Sequence, residues 1–441
     1  MSTTWLFYDV ESSDLNKVFG QILQFAAIRT DEDFNELDCH EFFVRLNRDT
    51  LPSPEAVLVH RILPNDLVKG KTEYEALKTI HDLVNQPGTM NGGYNTLGYD
   101  DDVLRFGFYR NFLAPYSHGF ANGCKRFDLF PMLLYYYFDG FQGIKWPIID
   151  DKVSLKLENL NVANGWVDGQ AHDALVDVRV CVALAKELSK DQERWAEVFK
   201  CLYQKNFSQG GRAIFLSALM GSKNNFAAPV VCIGQNKEIK NTTYWLRLDK
   251  VSFAEAGLTE EALLRKKVPD TSLIVPEQAS YFEDELVEAN LTWLKDNHLE
   301  WKSFVDEVIS QVLSPIEGID IDAALYQGGF FSDEEMDFMS KLHSHNPNKW
   351  LSISGCSERL YPMVVKWLWR HQWDALDQKT ISLALRLGLQ PGFDFQGKPK
   401  IMFAERLQRI EELININQSN EDNTRLLKSL RRYYINQLSI Y

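Results

Sequence analysis

Residues 7–12 read Phe-Tyr-Asp-Val-Glu-Ser, two carboxylates one residue apart at the end of an apolar run. Alternate residues of a strand share a face, so Asp9 and Glu11 would lie on one side, roughly 6–7 Å apart at the backbone. Either these are solvated acids at a strand end, or a shared proton, a basic partner or a metal compensates their repulsion. Two further segments hold acids in suggestive company. In Tyr-Asn-Thr-Leu-Gly-Tyr-Asp at 94–100, Asp100 opens a predicted helix, where the dipole and free N–H groups stabilise an anion. A plain N-capping aspartate would fill the same place. In Ala-His-Asp-Ala-Leu-Val-Asp at 171–177, His172 and Asp177 are about 140° apart around a helix. Both reach one site only if His172 sits at the helix start; otherwise it is a surface or capping residue.

These residues need a frame. Residues 4–10, 22–29 and 41–46 read as strands separated by polar turns. Helical spacing begins at Thr72 and stops at Pro87-Gly88. A Gly-Gly-Tyr-Asn turn at 92–95 precedes helices over 100–112 and 171–188. This pattern predicts an α/β layer on a mixed sheet. Past Asp191, two β-type runs flank a polar turn from Ala228, predicting a small β-rich domain. Helical patterns follow at 259–266 and 284–313. Ser314-Pro315 and Gln327-Gly328-Gly329 mark a joint, and the chain beyond reads as helical. Ser332 and Glu335 have capping-box spacing. Trp350, Trp367, Trp369 and Trp373 are expected in the core of that part.

At 441 residues the chain is long enough for two to four domains. Its net charge of −14 argues against coating nucleic acid by bulk electrostatics. Residues 193–250 nevertheless hold nine Lys/Arg against four acids, interleaved with Phe199, Tyr203, Phe207, Phe215, Phe226, Tyr244 and Trp245. Such interleaving suits either stacking and phosphate contact with a single strand or an ordinary core beneath a basic surface. The six cysteines form no C-x-x-C pair and are expected to be reduced thiols. With no signal peptide and no apolar run long enough to span a bilayer, the expected location is the cytoplasm.

Together, D-x-E on a first strand, N-x3-Y-D opening a helix and H-x4-D at the closing helix closely resemble the DEDD superfamily of 3′→5′ exonucleases, in the subclass with a histidine in its third motif (DEDDh). The resemblance implies a ribonuclease H-like fold. It makes Asp9, Glu11, Asp100 and Asp177 the ligands of two Mg²⁺ ions, with Mn²⁺ as a substitute, and His172 the general base. Hard oxygen ligands suit these ions.

QFAAIRTDEDFNELD (24–38), LPSPEAVLVHRILPNDL (51–67), GIKWPIID (143–150) with SLKLENLNVANG (154–165), and DAALYQGGFFSDEE (322–335) are similar to the bacterial exodeoxyribonuclease I family. That likeness implies a nuclease domain over 1–192, an SH3-like domain over 193–326 and a C-terminal helical domain over 327–441. It implies a monomer that degrades single-stranded DNA to nucleoside 5′-monophosphates in DNA repair and recombination. The implied partner is the acidic C-terminal tail of a single-stranded-DNA-binding protein. Glu11 and Lys156 would meet the substrate, Lys156 standing where the family has an arginine. The chain departs from the pattern at Ser12-Ser13-Asp14, where Thr and Gly usually follow D-x-E, and at His60-Arg61-Ile62, where a glycine usually follows the histidine. Two other readings are an exoribonuclease acting on RNA or tRNA ends, and an inactive nucleic-acid-binding scaffold.

Overall fold

The computed structural model describes residues 3–169, 173–311 and 314–437. Its first sheet consists of β1 (Thr4–Ser12), β2 (Ile22–Thr30), β3 (Glu36–Phe43), β4 (Thr89–Gly92) and β5 (Lys125–Arg126), in the order β3-β2-β1-β4-β5. β1 runs antiparallel to β2 and parallel to β4, so the sheet is mixed. β3 begins earlier than the expected 41–46. The Asp31 carboxylate accepts the backbone N–H groups of Asp33 and Asn35 at 3.0 and 2.8 Å, closing the preceding turn before Glu36. As an edge strand, β3 lacks the apolar run by which a buried strand announces itself.

Strand alternation assigns the two faces. Leu6, Tyr8 and Val10 join Phe25 and Ala27 beneath α2 (Glu73–Val84) and α3 (Asp100–Arg110). These follow α1 (Pro54–His60). Trp5, Phe7, Ala26 and Ile28 join α4 (Leu129–Phe138) and α6 (Ala174–Leu188) on the other face. Between those two helices lie the short hairpin β6 (Ile148–Ile149) and β7 (Lys152–Val153), then α5 (Leu157–Asn164). α7 (Gln192–Tyr203) packs Trp195 and Phe199 against Trp5. This is the ribonuclease H-like arrangement that the sequence motifs imply.

A second, antiparallel sheet contains β8 (Arg212–Leu216), β9 (Ala227–Gln235), β10 (Thr242–Arg247), β11 (Leu263–Lys267) and β12 (Leu273–Pro276), ordered β11-β10-β9-β8-β12. β9 and β10 form the expected hairpin. The helical pattern at 259–266 gives instead a turn at Glu260–Ala262 followed by β11. Pairing with the open edge of β10, Tyr244 opposite Arg265, overrides the local pattern. Phe215, Phe226, Tyr244 and Trp245 are buried, and Phe207 packs edge-on against Trp245. The aromatics of this region are therefore core residues, and they do not form a stacking strip. α8 (Phe253–Ala256) lies between β10 and β11, and β12 is followed by α9 (Glu285–Asp296) and α10 (His298–Ile309), which divide at Asn297.

The remainder is helical: α11 (Asp333–Ser344), α12 (Leu360–Gln372), α13 (Gln378–Leu389), α14 (Phe403–Ile416) and α15 (Glu421–Gln437). Ser332 and Glu335 form the expected capping box. Trp350, Trp367 and Trp369 are buried, whereas Trp373 lies at the surface beneath the Arg48 guanidinium. This region packs onto the outer layer of the first sheet through Phe106, Tyr109 and Phe112 of and beside α3. α14 and α15 close over Val57 of α1. Among the described residues, no helix is long and apolar enough to cross a membrane.

Candidate active site

Asp9 and Glu11 continue the odd-numbered face of β1, the face covered by α6. Asp177 lies in the first turn of that helix. Asp173 caps it, accepting the N–H groups of Leu175 and Val176 at 3.1 and 3.3 Å. His172 lies outside the described residues.

Asp100 comes from the opposite layer. It is the first residue of α3, with Tyr99 as its N-cap, so it is not the capping residue that its position suggests. Its carboxylate crosses the end of β1 and accepts the Val10 N–H at 3.1 Å. The next two acids have other partners. Asp101 accepts from His118 Nε2 at 2.7 Å and pairs with Arg105 and Arg126, which hold its carboxyl well below the usual range. Asp102 pairs with Lys17 and accepts the Tyr326 hydroxyl. Of the three consecutive aspartates, Asp100 faces the cleft.

The loop leading to Asp100 passes tightly over the sheet. A Cβ on Gly92 would sit 2.3 Å from the Phe127 carbonyl oxygen, and one on Gly93 2.5 Å from that of Tyr8. Only glycine fits this crossing. Asp128 then anchors the loop, accepting the N–H groups of Asn95, Leu97 and Phe130 at 2.7, 2.9 and 2.9 Å. Burial outweighs those three bonds and pushes its carboxyl up to about 7. Sequence reasoning missed Asp128. Its signal was modest: an aspartate immediately before the apolar start of α4.

Asp9, Glu11, Asp100 and Asp177 all line one cleft of about 800 Å³, together with Ser12, His60, Tyr99 and Lys156. Burial first, and then neighbouring carboxylates, raise Asp9 well above the usual range. Burial, Asp177 and Asp173 push Glu11 up to about 7. Asp100 is raised mainly by burial, opposed by backbone N–H groups, with Glu11 adding repulsion. Among the described residues, no three His, Cys, Asp or Glu side chains are grouped closely enough to hold a metal ion as they stand. The donor chemistry nevertheless fits hard divalent cations: four oxygen-donor side chains face a shared cleft, and three are destabilised as anions there.

Lys156 stands at the N-cap of α5, its side chain exposed and 3.6 Å from Glu158. His60 Nδ1 accepts the Ile62 N–H at 2.9 Å. Arg61 closes α1 with φ of 63°. Arg61 thus adopts the left-handed backbone that glycine favours.

Residues 6–185 match the family model described as Exonuclease, and residues 319–437 match Exonuclease I C-terminal domain. The chain is 38% identical over 199 residues to Exodeoxyribonuclease I of Haemophilus influenzae, covering 44% of this chain and 42% of that protein. It is 39% identical over 195 residues to Exodeoxyribonuclease I of Escherichia coli, covering 44% and 41%. These matched stretches span less than half the length of either relative. The fold superposes on E. coli Exonuclease I in complex with a dA16 oligonucleotide with a TM-score of 0.87 at 23% identity, covering 99% of this chain and 100% of that one. A structure of SSB/Exonuclease I with an inhibitor gives a TM-score of 0.85 at 23% identity, with the same coverage. The chain thus carries an exonuclease domain followed by an exonuclease I C-terminal domain, and over its first part it is similar to exodeoxyribonuclease I.

Proposed function

We propose that this protein is a divalent-metal-dependent 3′→5′ exonuclease that degrades single-stranded DNA to nucleoside 5′-monophosphates in DNA repair and recombination. The convergence of Asp9, Glu11, Asp100 and Asp177 on one cleft, from β1, α3 and α6, carries the reading. These four would hold two Mg²⁺ ions, with Mn²⁺ as a substitute, which would acidify a water and stabilise charge at the scissile phosphate. His172 would accept the attacking water's proton. Glu11 and Lys156 would hold the terminal nucleotide, the ammonium pairing with phosphate as a point charge.

Solved exonuclease I structures with an oligonucleotide and with SSB support single-stranded DNA and a single-stranded-DNA-binding protein as partners of this chain, and the acidic tail of that protein would be the segment received. The working division is a nuclease unit over 1–192, an SH3-like unit over 193–326 and a helical unit over 327–441, acting as a cytoplasmic monomer.

The test is degradation of matched single-stranded DNA and RNA, labelled at either end, with Mg²⁺ or EDTA. Metal-dependent release of mononucleotides from the 3′ end of DNA is expected. Release from the 5′ end or undiminished cleavage in EDTA would refute the reading, and preference for RNA would replace it with the exoribonuclease alternative. Asp177→Ala is expected to abolish turnover while retaining strand binding. A wild-type protein that binds the strand without cleaving it would instead be a scaffold.

A further inference from the structure

The loop after Glu11 is where the chain leaves the exonuclease pattern. It is also where the C-terminal helices reach the candidate active site. Asp14 and Arg406 are both largely buried, and the Arg406 guanidinium, from α14, pairs with the Asp14 carboxylate. The carbonyl oxygen of Asp14 accepts two hydroxyls, from Ser12 at 2.9 Å and from Tyr99. Ser12 directly follows Glu11, and Tyr99 directly precedes Asp100. One carbonyl therefore joins the two segments that deliver these carboxylates to the cleft, and one arginine holds the residue that carries it.

The rest of the loop is fixed just as specifically. Asn16 donates to Asp394 at 3.0 Å, and Lys17 donates to the Gly98 carbonyl at 3.1 Å. On its other side, the Ser13 carbonyl accepts the Ser53 N–H at 2.7 Å. The loop thus lies between the C-terminal helices and the 98–102 segment, and movement of α14 would be felt at Glu11 and Asp100.

We infer that Arg406 is a positioning residue for the active site: through Asp14, the C-terminal domain sets the separation of Glu11 and Asp100. The inference rests on the exonuclease reading above. A loop displaced by about 1 Å can cost on the order of 10²-fold in rate without loss of binding.

The experiment compares wild type, Arg406→Gln, Arg406→Lys, Asp14→Asn and the Asp14→Asn/Arg406→Gln double variant in the full chain. Hydrogen–deuterium exchange is followed over 11–17 and 96–101. kcat and KM are measured on labelled single-stranded DNA, and strand affinity in EDTA. Arg409→Gln is the control, because Arg409 lies on the same helix and pairs with Glu55 outside the cleft at 2.7 Å. The expected result for Arg406→Gln is faster exchange in both segments, kcat lower by about tenfold or more, and strand affinity within about twofold of wild type. The double variant should lose little beyond either single one, because both act through one contact. Arg406→Lys should recover part of the loss, and Arg409→Gln should match wild type.

Unchanged exchange in the two segments would overturn the inference whatever the activity. Faster exchange with unchanged kcat would reduce the pair to a contact between domains and overturn the positioning role. If Arg406→Gln fails to fold, the same readouts on Asp14→Asn and Arg406→Lys decide. Should wild type itself not degrade the strand, the exonuclease reading fails, while exchange still decides whether Arg406 orders the loop.

Discussion

The Asp100 carboxylate accepts the backbone N–H of Val10 at 3.1 Å, so the opening of α3 is fastened to the strand between Asp9 and Glu11. This bond needs an acceptor oxygen but no charge. Asp100→Asn is therefore expected to keep the bond and the fold. It should also lower turnover by at least on the order of 10²-fold, since even removing groups that only support a metal ligand costs 10–100-fold. Without metal, the variant should melt higher than wild type, because a buried, repelled charge has been removed. Circular dichroism, turnover and metal-free thermal melts measure the three effects. Wild-type turnover in Asp100→Asn would remove Asp100 from the metal set.

The raised carboxyls also fix a pH dependence for the metal-free protein. Glu11 is pushed up to about 7 in the folded state, against about 4.3 in an unfolded chain. Between those values the native state binds more protons than the unfolded state, so stability falls as pH rises. Asp9 and Asp100 are shifted in the same direction. Melting temperature in EDTA should therefore fall between about pH 4.5 and 7.5 through this site. Added Mg²⁺ should raise it more at pH 8 than at pH 5, where protons compete for the same oxygens. Glu11→Gln should flatten the slope in EDTA. A pH-independent response to Mg²⁺ would count against the four-carboxylate site.

Much of this site was legible because its signals are local. Strand alternation put Asp9 and Glu11 on one face, and the apolar runs of β1 and β2 are unambiguous. Spacing located Asp100 and Asp177 near helix starts, although Tyr99 and Asp173 proved to be the caps. What could not be read depended on partners distant in sequence. β11 looked helical until the edge of β10 was there to pair with it. The roles of Asp100, Asp101 and Asp102 separate only when His118, Arg126, Lys17 and Tyr326 surround them. The ion pair of Asp14 could not be read because its partner Arg406 lies 392 residues further along the chain.

Lys156 is exposed and borders the cleft, with a weak contact to Glu158. It has little structural work to do, so Lys156→Ala should leave the melting temperature unchanged. KM for single-stranded DNA should rise several-fold with a small change in kcat. The slope of log affinity against log salt should become shallower by about 0.7, the value of one phosphate contact on a single strand. Lys156→Arg should bind at least as tightly, since the guanidinium can engage phosphate with two donors. An unchanged salt slope in Lys156→Ala would show that the side chain does not reach the substrate.

Arg370 of α12 ties the C-terminal helices to the exonuclease domain through Asp49, and it also holds Asp322 of the 3-10 turn before α11. It donates to Asp49 at 2.9 Å through Nε, and to Asp322 at 2.6 Å through Nη2. Lys366, one turn earlier, also pairs with Asp322, at 2.7 Å. Burial pushes the Asp49 carboxyl up, but the Arg370 guanidinium outweighs it and holds Asp49 below the usual carboxylate range. Arg370→Met would take the guanidinium from both carboxylates and leave Asp322 paired with Lys366. Removing one partner of a buried pair costs about 3–5 kcal/mol. The expected outcome is a lower urea midpoint and early proteolytic release of the C-terminal helices. Asp49→Asn should cost less, since Arg370 keeps Asp322 and the amide oxygen can still accept. Because both acids titrate low in the folded state, their contribution is present above about pH 4 and lost on further acidification. Equal losses for Arg370→Met and Asp49→Asn would mean that packing, and not the stranded charge, sets the cost.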